Sequence, residues 1–381
     1  MNIGFVSDGF PMGGLARAVI EIGTAIEKEN QCSFYLSAIG DPSNYYDIPK
    51  SKLTIPKLKI KETKFKKYSE KLEKFIEMKL NGGKVDLSRY LTKQFNNMIE
   101  FIKKRDIDYL IICRYDLSFL VSKIKLEFPD LKIFVWIHGP VEIYTQKKER
   151  KKYLSYYIHN LSQCDSVICL TEFDRTELKS FGISGTKIYN PVPFKKIDNP
   201  STSIKDNSIL CVSRLDIRDK GIDSLIKLAD SLPNGWKVKL VGAGDKDELK
   251  KFNTLLSKMR NRNKLIFLGS RNSLELEKIY LKSNFFVSPS LYEGFGLTLI
   301  EAMNFGLPVV SFVTNGAKEI TKDGEFGILV KDFSVDAMIN ECLGLINDSK
   351  RIKKYSNLSY SRSKSFNLEN IKKQWIELLE R

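Results

Sequence analysis

The chain has 381 residues, 42% of them hydrophobic and 28% charged, and a formal net charge of +16 at pH 7, a balance that supports buried cores in more than one domain and excludes a disordered chain. No window is apolar for long enough to span a bilayer and the N-terminus enters an apolar run without a basic leader, so neither a membrane helix nor a secretory signal is expected and the protein is expected in the cytoplasm. Residues 1–190 hold 31 Lys+Arg against 23 Asp+Glu, and residues 191–381 hold the same numbers, so neither half owns the positive excess.

In chain order, residues 3–7, 33–39, 109–113, 133–137 and 167–170 read as strands buried on both faces, with helix-length segments such as 15–29 and 153–163 between them. That is the pattern of a parallel sheet with crossovers. Gly13 and Gly14 fall between the first strand and the first helix, where glycine serves a tight turn or a close backbone approach to a ligand. Residues 50–105 carry 17 basic and 6 acidic side chains, and Phe65, Tyr68, Leu72, Ile76 and Leu80 recur there at three- and four-residue spacing. A helix with that stripe either packs it on the sheet or lays it on anionic lipid. A second basic knot occupies residues 147–152. Asp106-Ile-Asp108 has metal-motif spacing but precedes a strand, away from the carboxyl end of the sheet, and reads as a solvated turn. His138 follows a strand and precedes Gly139-Pro140. The six cysteines (Cys32, Cys113, Cys164, Cys169, Cys211, Cys342) show no Cys-x-x-Cys spacing and have only two histidines beside them, so they read as buried thiols, with no metal and no disulfide framework expected.

Residues 190–203 are dense in proline and polar residues and read as a linker. The expected organisation is an N-terminal domain over 1–190, a linker over 191–205, a C-terminal domain over 206–365 and a terminal helix over 366–381. In the second half, residues 208–212, 238–241, 265–268, 285–288, 309–312 and 327–330 are strand candidates, and open parallel sheets bind ligands beyond the carboxyl ends of their strands. Arg214 ends one of these strands and Lys220 precedes the helix from Gly221. Gly242-Ala-Gly244 follows another strand but lacks the third glycine of a dinucleotide fingerprint. In Ser290–Met303, Glu293 and Glu301 bracket a glycine-hinged turn at a strand-to-helix crossover, where the amides of Gly296, Leu297 and Thr298 favour an anion such as a diphosphate. The carboxylates can then accept hydroxyl hydrogens on either side of that anion, as a sugar and a ribose require.

This segment resembles the Glu-x7-Glu signature of retaining glycosyltransferases of family four, which adopt the GT-B fold. Gly13-Gly14, His138-Gly139, Asn190-Pro191, Ser213-Arg214 and Lys220-Gly221 fall in the family's order along nearly the whole chain. The resemblance implies an α/β chain of two doubly wound Rossmann-like domains facing a cleft, with the terminal helix crossing back to the first domain. It assigns Glu293 to the donor sugar and Glu301 to the ribose, and Arg214 and Lys220 to the leaving diphosphate, where preorganised cations stabilise developing charge. It places His138 against a donor-sugar hydroxyl and Gly13 and Gly14 near the donor phosphates or the acceptor. Gly242 and the turn Gly294, Phe295, Gly296, Leu297, Thr298 line the donor, with Gly269, Ser270 and Arg271 near the base. The implied mechanism is front-side displacement, in which the leaving phosphate takes the acceptor proton, without a metal and unlike the two-carboxylate glycosidase scheme.

The function expected on this basis is metal-independent transfer of a hexose or N-acetylhexosamine from a UDP-linked donor to a polyprenyl-diphosphate-linked or glycan acceptor, in surface-polysaccharide assembly at the inner face of the cell membrane. No cofactor beyond the nucleotide sugar is expected. A GT-B-shaped nucleotide-sugar epimerase would share the fold but not the set of Arg214, Lys220 and the two glutamates. A basic nucleic-acid-binding protein would explain the charge but not the motifs.

Overall fold

The computed structural model describes residues 1–7, 9–10, 13–29, 33–38, 48–49, 51–55, 64–195, 197 and 205–381. The chain divides into two compact units, Met1–Pro191 with Leu368–Arg381, and Val192–Asn367.

In the first unit the apolar runs form strands β1 (Asn2–Ser7), β2 (Ser33–Ala38), β3 (Leu53–Thr54), β4 (Tyr109–Ile112), β5 (Lys132–Trp136), β6 (Ser166–Cys169) and β7 (Gly185–Lys187). The short strands β3 and β7 have no apolar run of their own and were not expected. All pairings are parallel, in the order β3-β2-β1-β4-β5-β6-β7. The order reverses between β1 and β4, which makes that junction the place where loops diverge and leave a crevice. Helices such as Gly14–Glu29 and Thr92–Arg105 make the crossovers, and Met98 and Phe101 of the latter join Val6, Leu110, Ile112 and Val135 in one core. The helix Leu368–Leu379 belongs to this unit. Its Trp375 is fully buried, 4.7 Å from the ring of Trp136 and 6.4 Å from that of Phe5.

The second unit holds β8 (Ser208–Val212), β9 (Lys237–Val241), β10 (Leu265–Gly269), β11 (Phe285–Ser288), β12 (Val309–Phe312) and β13 (Ile328–Val330), all parallel in the order β10-β9-β8-β11-β12-β13. Its reversal lies between β8 and β11. The first part of the expected linker is not a free connector. Val192 donates its amide to the Phe366 carbonyl at 2.9 Å, and Phe194 packs its ring 5.0 Å from Phe305 and 6.0 Å from Tyr280. Burial of an aromatic ring outweighs the local preference of Pro191 and Pro193 for an open chain. Residues 196 and 198–204 of that linker lie outside the described residues.

The basic segment forms the helix Lys64–Leu80, and its stripe does not pack on the sheet. Tyr68, Leu72, Ile76 and Leu80 are all exposed; the side chain of Phe65 lies outside the described residues. Asp106 ends the helix Thr92–Arg105 in the left-handed region, and Asp108 accepts the Asn2 amide at 2.7 Å. That pair fixes the amino-terminal edge of the sheet. Cys113, Cys164, Cys169, Cys211 and Cys342 are free thiols, and Cys32 lies outside the described residues. No helix among the described residues is long and apolar enough to cross a membrane.

Candidate functional site

In the second unit, four loops leave the carboxyl ends of the neighbouring strands β10, β9, β8 and β11, and backbone contacts knit them together. Ser213 donates to Val241 at 2.9 Å, Gly242 to Gly269 at 3.0 Å, Leu215 to Ala243 at 2.6 Å and Leu291 to Asp219 at 3.0 Å. Two glycines make this closeness possible. A Cβ on Gly242 would sit 1.8 Å from the Ser213 carbonyl oxygen, and one on Gly221, whose φ is +62°, would sit 2.0 Å from that of Pro289. No other residue fits either position without moving the backbone.

Across this framework Lys220 donates to Glu293 Oε2 at 2.7 Å, with both side chains about one-fifth exposed at 20% and 21%. Glu293 therefore meets Lys220 directly, although the two were assigned to different parts of a donor. Arg214 is 73% exposed and lies 3.6 Å from Asp216, on the strand-end loop but turned toward solvent. Beyond Glu293 the chain enters the helix Leu297–Asn304, whose buried Leu299, Ile300 and Met303 hold it on the core. Gly296 caps this helix with no side-chain hydrogen bond, so its first-turn amides keep the positive end of the helix dipole available to an anion. Phe295 is buried with its ring 5.9 Å from Phe366, which leaves only its backbone to face a ligand. Glu301 is also buried and accepts the Tyr280 hydroxyl at 2.8 Å. Gly269 has a left-handed φ of +67°, Ser270 is exposed, and Arg271 is half-buried. Gly294 and Thr298 are half-buried on the same turn.

In the first unit, the carboxyl ends of β1, β4 and β5 open into a cavity of ≈ 860 Å³ lined by Gly13, Gly14, Trp136, His138, Tyr144 and Arg150, among others, a volume suited to a small-molecule ligand. Among the described residues no atom lies within 4 Å of where a Cβ on Gly13 would sit. Both ring nitrogens of His138 are inaccessible and lack a hydrogen-bond partner, and its ring lies 4.3 Å from that of Trp136. Burial pulls the His138 pKa down to about 3, so the ring is neutral at physiological pH. An unsatisfied buried polar atom costs about 1–3 kcal/mol. The loop carrying His138 is pinned by Asp174, which accepts the Val141 amide at 2.8 Å. Tyr115 and Tyr144 stack at 4.5 Å, and the Arg150 guanidinium covers both, 4.5 and 5.0 Å from their centroids.

Gly13, Gly14 and His138 thus share one cavity in the first unit, while Arg214, Lys220, Gly242, Gly269, Glu293 and Glu301 gather around the reversal point of the second. Sequence reasoning missed Tyr280, Asp174 and the Arg150–Tyr115–Tyr144 stack. Thr171 and Asp174 carry a signal, a helix-capping pair in which the Thr171 side chain accepts the Asp174 amide, but it announces only a helix start. Tyr280 lies 21 residues from Glu301 with no local pattern joining them.

Residues 194–362 match the family described as glycosyl transferases group 1. The chain carries a glycosyltransferase domain. A Haemophilus influenzae protein described as an uncharacterized glycosyltransferase is 28% identical over 294 residues, covering 74% of this chain and 78% of that protein. The N-acetylgalactosamine-N,N'-diacetylbacillosaminyl-diphospho-undecaprenol 4-alpha-N-acetylgalactosaminyltransferase of Campylobacter jejuni is 30% identical over 210 residues, covering 53% of this chain and 56% of that enzyme. The crystal structure of Anabaena HepE in complex with UDP and glucose aligns over 100% of this chain and 99% of that one, with a TM-score of 0.78 at 16% identity. Two parallel α/β units together with this likeness identify the fold of the glycosyltransferase as GT-B.

Proposed function

We propose that the chain is a retaining, metal-independent glycosyltransferase of family four that moves a hexose or N-acetylhexosamine from a UDP-sugar to a polyprenyl-diphosphate-linked or glycan acceptor in surface-polysaccharide assembly. The observation that carries this reading is the Lys220–Glu293 pair beside the uncapped start of the helix Leu297–Asn304. On donor binding, the diphosphate replaces Glu293 as the partner of Lys220 and meets the helix amides. Arg214, on its exposed loop, swings from Asp216 to the same phosphates. Glu293 is released to accept sugar hydroxyls, and Glu301, held by Tyr280, accepts from the ribose. The acceptor oxygen then attacks the anomeric carbon from the side of the leaving group. The bond from that carbon to the phosphate oxygen breaks as the new glycosidic bond forms, and the acceptor proton passes to the departing phosphate. Charge building on the phosphate is stabilised by Lys220 and Arg214.

The Campylobacter relative supports a lipid-linked acceptor, since its own acceptor is named as a diphospho-undecaprenol. HepE supports a UDP-linked donor, since UDP and glucose are bound in its crystal structure. With a polyprenyl acceptor and a UDP-linked donor, the proposed place of work is the inner face of the membrane. The test is calorimetric titration with UDP-, GDP- and ADP-sugars in EDTA, followed by NMR of the anomeric proton of the transferred sugar. Binding of a UDP-sugar and a product with the donor's anomeric configuration are expected. An inverted product, or a strict need for Mn²⁺ or Mg²⁺, would overturn the reading.

A further inference from the structure

The helix Lys64–Leu80 is amphipathic in the reverse sense to an ordinary surface helix. Its polar side faces the protein. Glu77 accepts the Asp86 amide at 3.0 Å and the Tyr90 hydroxyl at 2.8 Å, while Lys74 pairs with Glu70 and lies 4.7 Å over the Tyr90 ring. Its apolar side faces out, with Tyr68 72%, Leu72 53%, Phe75 53%, Ile76 49% and Leu80 84% exposed. These residues follow one another at helical spacing and form a single stripe. Contiguous exposed apolar surface of this kind marks an interaction site.

The charge around the stripe identifies what covers it. Lys71 and Lys79 are exposed on the same helix. The second basic knot, far away in sequence, is brought alongside. Asn81, just past the helix, donates to the Tyr156 hydroxyl at 2.9 Å, and Val85 donates to the Lys152 carbonyl at 2.8 Å. Lys148 and Lys151 are exposed there. We infer that this face docks on an anionic lipid bilayer, the apolar stripe of Lys64–Leu80 entering the interface and the lysines of both segments meeting the headgroups. An apolar stripe rimmed by lysine fits such a surface, because lysine stems lie along the apolar boundary while their ammonium groups reach the anionic headgroups. The inference rests on the reading of a lipid-linked acceptor in naming why the enzyme docks, but the surface is tested independently of transfer.

The test is cosedimentation of the full chain with phosphatidylcholine vesicles, with and without phosphatidylglycerol, over a range of salt. Binding is expected to favour the anionic vesicles and to weaken as salt rises. Leu72→Ser with Ile76→Ser should lower it at least tenfold, and Lys71→Ser, Lys79→Ser, Lys148→Ser and Lys151→Ser about fivefold each. All these side chains are exposed, so the helical signal and melting temperature should not change. Equal binding to both vesicle types, with the variants indistinguishable from wild type, would overturn the inference. So would a concentration-dependent dimer, abolished by the Leu72 and Ile76 changes, in a protein that ignores vesicles, since the stripe would then belong to a second copy. Transfer to a short soluble acceptor, measured in parallel, separates the two readings: a non-docking variant that still transfers leaves the proposed activity standing, and a wild type that docks but never transfers removes the activity and leaves the surface.

Discussion

The two units use the same device and finish it differently. Each opens its site where strand order reverses, at β1 and β4 in the first and at β8 and β11 in the second. In the second unit the loops are over-determined, since backbone meets backbone at Gly221 and Gly242 and an ion pair joins Lys220 to Glu293. In the first unit both ring nitrogens of His138 lack a partner among the described residues, and nothing described lies within 4 Å of where a Cβ on Gly13 would sit. In the proposed mechanism the second site holds the same diphosphate in every turnover and gains from rigidity. A site whose ligand must supply the missing hydrogen bonds discriminates by what that ligand carries.

The contrast is most exposed at Glu293. Glu293→Gln is expected to lower kcat by about 10²–10³ while the protein stays folded, because in the proposed mechanism the group acts on the reacting sugar. Steady-state kinetics with a soluble acceptor measure this, and a rate near wild type would break the assignment of chemistry to the second unit. Next comes rigidity itself. Gly221→Ala should destabilise the second unit by about 3 kcal/mol, as expected of a Cβ forced against backbone at positive φ, whereas Gly13→Ala should leave the melting curve unchanged and reduce activity alone. Calorimetry on the two variants decides the point, and equal melting shifts would erase the distinction drawn between the units.

His138 gives a smaller, pH-dependent effect. Its folded pKa lies below the unfolded value of about 6.5, so its contribution to stability is fully present above pH 6.5 and falls by about 1.4 kcal/mol per pH unit as the unfolded chain takes up the proton, down to about pH 3. Denaturant titrations at pH 7 and pH 5 should show about 2 kcal/mol of this loss in wild type and not in His138→Gln. The smallest effect is expected from Tyr280→Phe, which removes one hydrogen bond to Glu301 and should raise the donor KM about fivefold, or about 1 kcal/mol, with kcat little changed.

What could be read from the sequence was whatever repeats at short range. The central strands announce themselves because parallel strands buried on both faces are continuous apolar runs, as in residues 285–288 and 309–312. β3 and β7 do not, being two and three residues long and held by their neighbours rather than by their own pattern. Glu293 and Glu301 were visible through their spacing around a glycine turn. The Lys220–Glu293 contact spans 73 residues and depends on β8 lying beside β11, and Tyr280–Glu301 spans 21 and depends on how the helices before and after β11 pack. The stripe of Lys64–Leu80 was equally visible, but its direction was not. Periodicity shows that a helix has an apolar side, and only the contacts of Glu77 and Lys74 with Asp86 and Tyr90 show that this side faces away from the protein.

The helix Leu368–Leu379 sets the order of events during synthesis. The whole of Val192–Asn367 leaves the ribosome before Trp375 exists, so the first unit waits with Trp136 and Phe5 uncovered while the second folds. The second unit needs nothing that comes later, because its two ends meet through the Val192–Phe366 hydrogen bond. It is an insertion that can mature on its own inside a host still incomplete, and the nascent chain is most vulnerable to aggregation in the interval before those final turns emerge.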